Sequence, residues 1–434
     1  MIAVGASSRP PISYGLMNST VVAGYTSTGG ETTESPPTPS ETIISSFINS
    51  TYAEISIRVN SQLGEDGDTF SPEAGAIAGY GDDLAYEMVN VDKAHNWQES
   101  LYISNPGSGV TVAIVDTGVH AHEDLMYQPD GVTLREMYYI DINWYRYWVW
   151  DWYPFSGHYV YVYQATNKYI NTVAEWTSYS DYENNPEMKV GVYDGWDHGT
   201  ITTGAFLRMA PYANLIIVDV QDTSDWKKFA YQWSLGLLHS WHDPDIVSCS
   251  WGFKNGWSNL EAKVNDLVAD GTTVFLAASH NYDYNHPYYP ARYSNVMAIG
   301  AVNTRDEPEE GERWEYSNYG PELDVVAPGA PVYTTSQYDL NGDSDLNDFD
   351  HYWGTSLACP IAAGEAALIY QTYSFLYSND PQASLVKSLI KYHCDPGGQD
   401  TNPNDLSPTY SRQNDYYGYG IVDAYEALVY VLAS

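Results

Sequence analysis

The chain is short of positive charge. Its 434 residues hold 18 Lys and Arg against 56 Asp and Glu, a formal net charge of −38. Nucleic-acid binding through a basic footprint needs clustered Lys and Arg, so it is excluded. Anchoring to an anionic membrane by a polybasic patch is excluded on the same ground. Cysteine is sparse too. Cys249, Cys359 and Cys394 cannot build a disulfide framework, and no C-x-x-C metal spacing occurs. They read as small buried hydrophobes. No run approaches the ~18 apolar residues of a membrane helix, so no membrane span is expected. Met1 to Gly5 show no basic region and too short an apolar run for a signal peptide. An extracellular location therefore requires a signal already removed, or another export route.

Hydrophobic residues and rings are plentiful. The chain is 44% hydrophobic, with 41 Tyr and 14 Trp, which allows a large core. Residues 17 to 51 hold 15 Ser and Thr and no Lys or Arg, the composition of a flexible or extended segment. Gly64 to Asp83 is acidic and Gly-rich, which sets a boundary near 83. Residues 1–83 form an N-terminal extension and 84–434 one large domain. Within that domain apolar runs at Val110 to Val115, Leu215 to Val220, Ile246 to Ser250, Thr273 to Ala278 and Val296 to Val302 read as buried strands. Helix-length patterns lie between them, at Trp226 to Trp241 and Leu260 to Asp270. Such alternation implies an α/β fold, a parallel sheet with helices on both faces.

Three short segments carry chemistry. Val110 to Gly118 places Asp116 at the carboxyl end of a buried strand. Asp197-His198-Gly199-Thr200 places a His at a helix start. Gly354-Thr355-Ser356 places a Ser at the mouth of a long small-residue helix. Open α/β sheets bind ligands at the carboxyl ends of their strands, so the three places can converge. A Ser hydroxyl needs an adjacent base to act as a nucleophile. A neutral His supplies it, and a carboxylate fixes the tautomer. Each motif alone is common; the order Asp, His, Ser on these elements is specific.

With these motifs the sequence resembles the subtilisin-like serine proteases, the subtilases. The resemblance extends to Glu87 to Ala94, Ser250-Trp251-Gly252, Ala277 to Asn281, Tyr289 to Tyr293, Tyr316 to Val325 and Tyr417 to Asp423, and covers residue 84 to the end. It implies a three-layer subtilisin-like fold and a serine endopeptidase acting through an acyl-enzyme. It implies Ser356 as nucleophile, His198 as base and Asp116 as its orienting carboxylate. Asn281 is the implied side-chain donor to the oxyanion, and Ser250, Trp251 and Gly252 the strand that pairs with substrate. The family usually has Gly before that Asn; here it is His280. Where the family often has Gly at the floor of the main pocket, this chain has Tyr288, which predicts a shallow pocket and small P1 side chains. Residues 1–83 do not resemble the common inhibitory pro-domain. They read as a divergent pro-segment, a spacer, or an extension packed on the enzyme. An exopeptidase and a catalytically silent binding protein are the alternative functions. Protein or peptide is the expected partner, the location is secreted, and oligomeric state is left open.

Two further segments stand apart. Asp339, Asn341, Asp343, Asp345, Asn347 and Asp350 occupy positions 1, 3, 5, 7, 9 and 12 of an acidic loop. That spacing suits Ca²⁺, which takes hard oxygen ligands from alternate residues. The loop resembles the dockerin or EF-hand type, with Ser344 where Gly is usual. Asp124 resembles a ligand of the family's common calcium site, whose loop is shortened to Leu207–Pro211. The second segment is an insertion, residues 126–194, with 13 aromatics between 138 and 164. Tyr159 to Tyr163 alternates as a strand and Pro154 to Gly157 reads as a turn, predicting an aromatic-rich β-hairpin beside the cleft. The rest of the negative charge reads as spread over the surface, suiting an extracellular setting.

Overall fold

The computed structural model describes residues 19–26, 53–57, 84–151, 156–177, 192, 194, 196–220, 227–304, 310–337, 348–395 and 413–432. For 19–26, 53–57, 143–151, 156–164 and 227 it describes the backbone alone. Strands β1 (Ser19–Thr26) and β2 (Ala53–Ile57) precede helices α1 (Leu84–Met88) and α2 (Val91–Ser100). Then come β3 (Thr111–Asp116), α3 (Glu123–Met126), β4 (Met137–Asp151), β5 (Ser156–Ile170), α4 (Val173–Thr177) and α5 (His198–Met209). The middle alternates as β6 (Asn214–Val220), α6 (Lys227–Trp241), β7 (Ile246–Cys249), α7 (Ser258–Leu267), β8 (Val274–Ala278) and β9 (Met297–Asn303). The chain closes with β10 (Val325–Ala330), β11 (Val332–Thr335), β12 (Phe349–Tyr352), α8 (Thr355–Tyr377), α9 (Ala383–Tyr392) and α10 (Ala424–Val431).

One sheet organises the molecule, in the order β10-β9-β8-β7-β3-β6-β4-β5-β1-β2. Every pairing from β10 to β4 is parallel. Parallel strands are buried on both faces, which is why β3, β7 and β8 read as unbroken apolar runs. Helices α2, α5, α8, α9 and α10 cover one face. Helices α6 and α7 cover the other. The predicted three-layer α/β architecture is the one observed.

The central helix α8 runs through the first layer. Small residues let it approach α5 closely: a Cβ on Gly364 would lie 2.2 Å from Met209 Cβ. This contact sets the distance between the start of α5, where His198 sits, and the start of α8, where Ser356 sits.

The insertion differs from expectation in its root. Met137–Ile142 of β4 pairs in parallel with β6 and so belongs to the main sheet. Ile142 faces Val220, the last residue of β6, yet β4 runs on to Asp151 with β5 as its antiparallel partner. The predicted hairpin is thus the prolongation of a sheet strand, reaching about 30 Å past the carboxyl edge at the usual strand rise. Its side chains between 143 and 164 lie outside the described residues. Strand β1 pairs with β5 and β2 with β1, so two pieces of the N-terminal extension continue the sheet.

Candidate active site

Asp116 is the last residue of β3, at the carboxyl edge of the sheet, and it is buried. Its Oδ1 accepts from the Thr117 N–H at 2.8 Å and lies 2.6 Å from His198 Nδ1. Its Oδ2 accepts from Thr202 Oγ1 at 3.1 Å. A carboxylate that only accepts requires the proton on His198 Nδ1, which leaves Nε2 as the basic nitrogen. Burial lowers the His198 pKa, but the charge and hydrogen bond of Asp116, with the charges of Asp194 and Asp197, raise it above the ordinary value.

Those neighbours are held firmly. Asp194 is buried and accepts from Thr117 Oγ1 (2.8 Å), Trp196 N–H (3.0 Å), Thr200 N–H (2.7 Å) and Thr200 Oγ1 (2.6 Å). It ties the loop after Asp116 to the helix that carries His198. Burial outweighs these bonds and pushes its pKa up to about 7. Asp197 caps α5 from a left-handed conformation and accepts from Tyr352 Oη at 2.7 Å and Gln337 N–H at 2.8 Å. Register adds two more carboxylates: Asp219 stands beside Asp116 and Asp141 beside Asp219, on one face of the sheet. Tyr139 Oη donates to Asp219 at 2.8 Å.

Ser356 is the second residue of α8. Its Oγ donates to the Ser250 carbonyl at 3.3 Å, and Ser250 Oγ donates to the Ser356 carbonyl at 2.8 Å. Asn281 lies opposite. Its Oδ1 accepts from Thr355 N–H (3.0 Å) and Thr355 Oγ1 (2.8 Å), which fixes the amide and turns Nδ2 the other way. Gly354 shows where Nδ2 points. It has φ +152°, and a Cβ there would lie 3.3 Å from Asn281 Nδ2 and 3.5 Å from Ser356 N. The glycine leaves open a small space bordered by these two nitrogens.

Ser250, Trp251 and Gly252 continue from β7. Among the described residues, Trp251 and Gly252 bond no other backbone group, while Phe253 and Tyr289 exchange two bonds of 2.7 and 2.8 Å. The backbone of 251 and 252 is therefore unpaired among the described residues, although both residues are buried. The Trp251 side chain is not: it is buried, with its ring 4.0 Å from that of Tyr231.

Five of the six acidic-loop residues, Asp339, Asn341, Asp343, Asp345 and Asn347, lie outside the described residues. Asp350 lies in β12, which pairs with β11, so a strand stands where a helix-loop-helix would begin its exit helix. Its Oδ1 accepts the His351 N–H at 2.8 Å. At Asp124 the residues do not fit a metal. The buried Arg135 guanidinium donates there to the carbonyls of Leu125 (3.0 Å), Pro211 (2.8 Å) and Tyr127 (3.1 Å). Burial lowers the Arg135 pKa to about 10, and the Asp124 charge offsets part of that fall. A cation of the chain itself fills that corner.

Thr355, Thr202 and Asp194 were not singled out in the sequence. The signal was present in their positions beside the three motifs, since short polar side chains there can reach only the motif residues.

The fold is a parallel α/β sheet with Asp116 and His198 paired at its carboxyl edge and Asn281 bonded to the residue before Ser356. The subtilase family profile, peptidase S8, matches residues 107–420, and the chain belongs to this family. It is 28% identical to the thermostable alkaline protease of Halalkalibacterium halodurans, across 70% of this chain and 67% of that one. It is likewise 28% identical to subtilisin NAT of Bacillus subtilis subsp. natto, across 58% of this chain and 59% of the relative. The chain thus spans about two thirds or less of these relatives' lengths. A solved lanthipeptide protease shares the fold, with TM-score 0.51 and 19% identity over 82% of this chain and 98% of that one.

Proposed function

We propose that the chain is a serine endopeptidase that hydrolyses protein or peptide substrates through an acyl-enzyme. The observation that carries this reading is the convergence of Asn281 Nδ2 and Ser356 N on the space over Gly354, beside the Asp116–His198 pair. Ser356 Oγ attacks the carbonyl of the scissile bond and His198 Nε2 takes its proton. Asp116 stabilises the imidazolium that forms. The oxyanion receives hydrogen bonds from Asn281 Nδ2 and Ser356 N. His198 then protonates the departing amine, and water activated by the same His releases the acyl group. The substrate lies along Ser250–Gly252 as an added strand. The 3.3 Å bond from Ser356 Oγ to Ser250 is long and gives way when His198 takes the proton.

The calcium reading of residues 339–350 and a secreted location belong to the same proposal. Among the described residues no helix is long and apolar enough to cross a membrane. Labelling with a fluorophosphonate followed by mass spectrometry tests the nucleophile. The expected result is an adduct on Ser356 that disappears in His198→Ala. A folded protein that takes no adduct would overturn the assignment in favour of a silent binding protein.

A further inference from the structure

The oxyanion donor needs more than its own side chain to be aimed. Asn281 is held at three points, and one of them is unusual. Thr355 fixes its amide oxygen. Its own backbone N–H donates to the ring Nδ1 of His280, the residue immediately before it, at 2.9 Å. The His280 N–H in turn donates to Thr355 Oγ1 at 3.1 Å, and the His280 carbonyl accepts from the Asn318 N–H at 2.8 Å.

His280 adopts φ +85°, a left-handed conformation that disfavours a residue with a Cβ. Glycine would adopt it freely, so a side chain here must offset the strain by what it does. The ring stacks on Tyr282 with centroids 4.8 Å apart and planes 15° from parallel. Tyr288 lies 4.4 Å away, and the two tyrosine rings are themselves 5.7 Å apart. Cδ2 sits 3.3 Å from where a Cβ of Gly252 would be. The ring is thus packed against a pair of tyrosines and the substrate-strand glycine, with Nδ1 turned onto the Asn281 N–H.

The geometry points to His280 as a positioning residue: its Nδ1 fixes the peptide that aims Asn281 Nδ2 at the oxyanion. This inference rests on the peptidase reading above. An acceptor at Nδ1 requires the proton on Nε2. Burial, with the nearby His198, holds the His280 pKa down to about 4, so the ring stays a neutral acceptor throughout the range in which His198 can act as a base.

Three variants test it, with kinetics normalised to active sites. His280→Gly takes up the same φ without strain but offers no acceptor. Its kcat is expected to fall about tenfold, equivalent to about 1.4 kcal/mol, with KM within about twofold. The Ki of a peptide aldehyde with alanine at P1 should rise by the same factor, because its hemiacetal oxygen occupies the oxyanion position. The melting temperature should hold or rise. His280→Asn carries an oxygen where Nδ1 stood and tolerates the left-handed conformation, so it should recover most of the loss. His280→Ala combines strain with the lost acceptor and should be the worst. A His280→Gly enzyme with kcat and aldehyde Ki both unchanged would overturn the inference. So would a rise in KM alone, which would assign the ring to substrate packing. A wild-type chain with neither activity nor an aldehyde adduct on Ser356 would overturn the peptidase reading itself, and this inference with it.

Discussion

If Ser356 attacks a carbonyl held between Asn281 and its own N–H, the P1 side chain hangs one bond away from that carbonyl carbon. It must enter between Ser250–Gly252 and His280–Asn281. That space is already filled. Tyr288 is 3% exposed, and its Cβ is 3.0 Å from the position a Gly252 Cβ would take. Its N–H is bonded to the Ser279 carbonyl at 3.1 Å, and the next residue exchanges two bonds with Phe253. The backbone anchor fixes the Cβ, and the ring itself packs against His280, Tyr282, Tyr284 and His286. The wild-type enzyme is therefore expected to cleave after Ala or Gly and to reject Phe and Leu. Burying a large apolar side chain is worth about 1.5–3 kcal/mol, which the filled pocket forgoes. Tyr288→Gly should open the pocket and raise the Phe-to-Ala ratio of kcat/KM by roughly 10- to 150-fold. Tyr288→Ala should give a smaller rise and guards against a variant that fails to fold. The assay is a peptide series differing only at P1, with melting temperature as control. A wild-type enzyme that prefers Phe or Leu at P1 would refute the reasoning.

Other expectations follow from the same contacts. His198 must be neutral to act, and its raised pKa places the acid limb of kcat/KM above the ordinary His value. Asp197→Asn removes one of the charges that raise it, so the limb should move to lower pH in a pH–rate profile. Arg135→Ala leaves one buried and two part-buried carbonyls without their donor and should cost about 1–3 kcal/mol in chemical denaturation, with no rescue by added calcium. EDTA should lower both melting temperature and activity through the 339–350 loop, which ends six residues before Ser356; no effect on either would remove calcium from the account. Glu365 is buried in α8 with no hydrogen-bond partner for either carboxyl oxygen among the described residues, and burial, then Asp423, raises its pKa well above the usual range. The folded state thus binds this proton more tightly than the unfolded one, and stability falls as the pH climbs from the ordinary carboxylate range through the raised value. Glu365→Gln should flatten that fall in melting curves taken against pH.

The parallel strands were legible because burial on both faces leaves one apolar run, whatever the partner. Asp116, His198 and Ser356 were legible because each sits in a short motif that sets its local geometry. The root of the aromatic arm was not. Met137–Ile142 passes from main sheet to hairpin without a turn, so nothing in the sequence marks where one partner ends. The positive φ of His280 was hinted at only by the family's usual Gly at that place. Nothing in the sequence marks Arg135 as buried, because its three partners are carbonyls, and one of them lies at residue 211.

The negative charge is not only a surface property. Asp116, Asp141, Asp194, Asp197, Asp219, Glu365 and Asp423 are all buried, on the side of the sheet where His198 and α8 lie. With so few Lys and Arg, these carboxyl groups are met mostly by neutral donors. Thr117, Thr200 and Trp196 serve Asp194; Tyr352 and Gln337 serve Asp197; Tyr139 serves Asp219; Asn90 and the Glu426 N–H serve Asp423. The tyrosine-rich, base-poor composition is thus partly an interior arrangement, in which hydroxyl and backbone donors stand where other proteins place cations. Neutral donors satisfy the geometry of a carboxylate but return less of the cost of burying its charge than a cation does. This accounts for the raised pKa values of Asp194, Asp197 and Asp423, while burial and the Asp423 charge raise that of Glu365. His198 draws on the same arrangement, because Asp194 and Asp197 act on it as well as Asp116. Stability should then favour lower pH, where the buried carboxyls keep their protons, while catalysis favours pH above the raised His198 pKa. The working range lies where these opposed demands overlap.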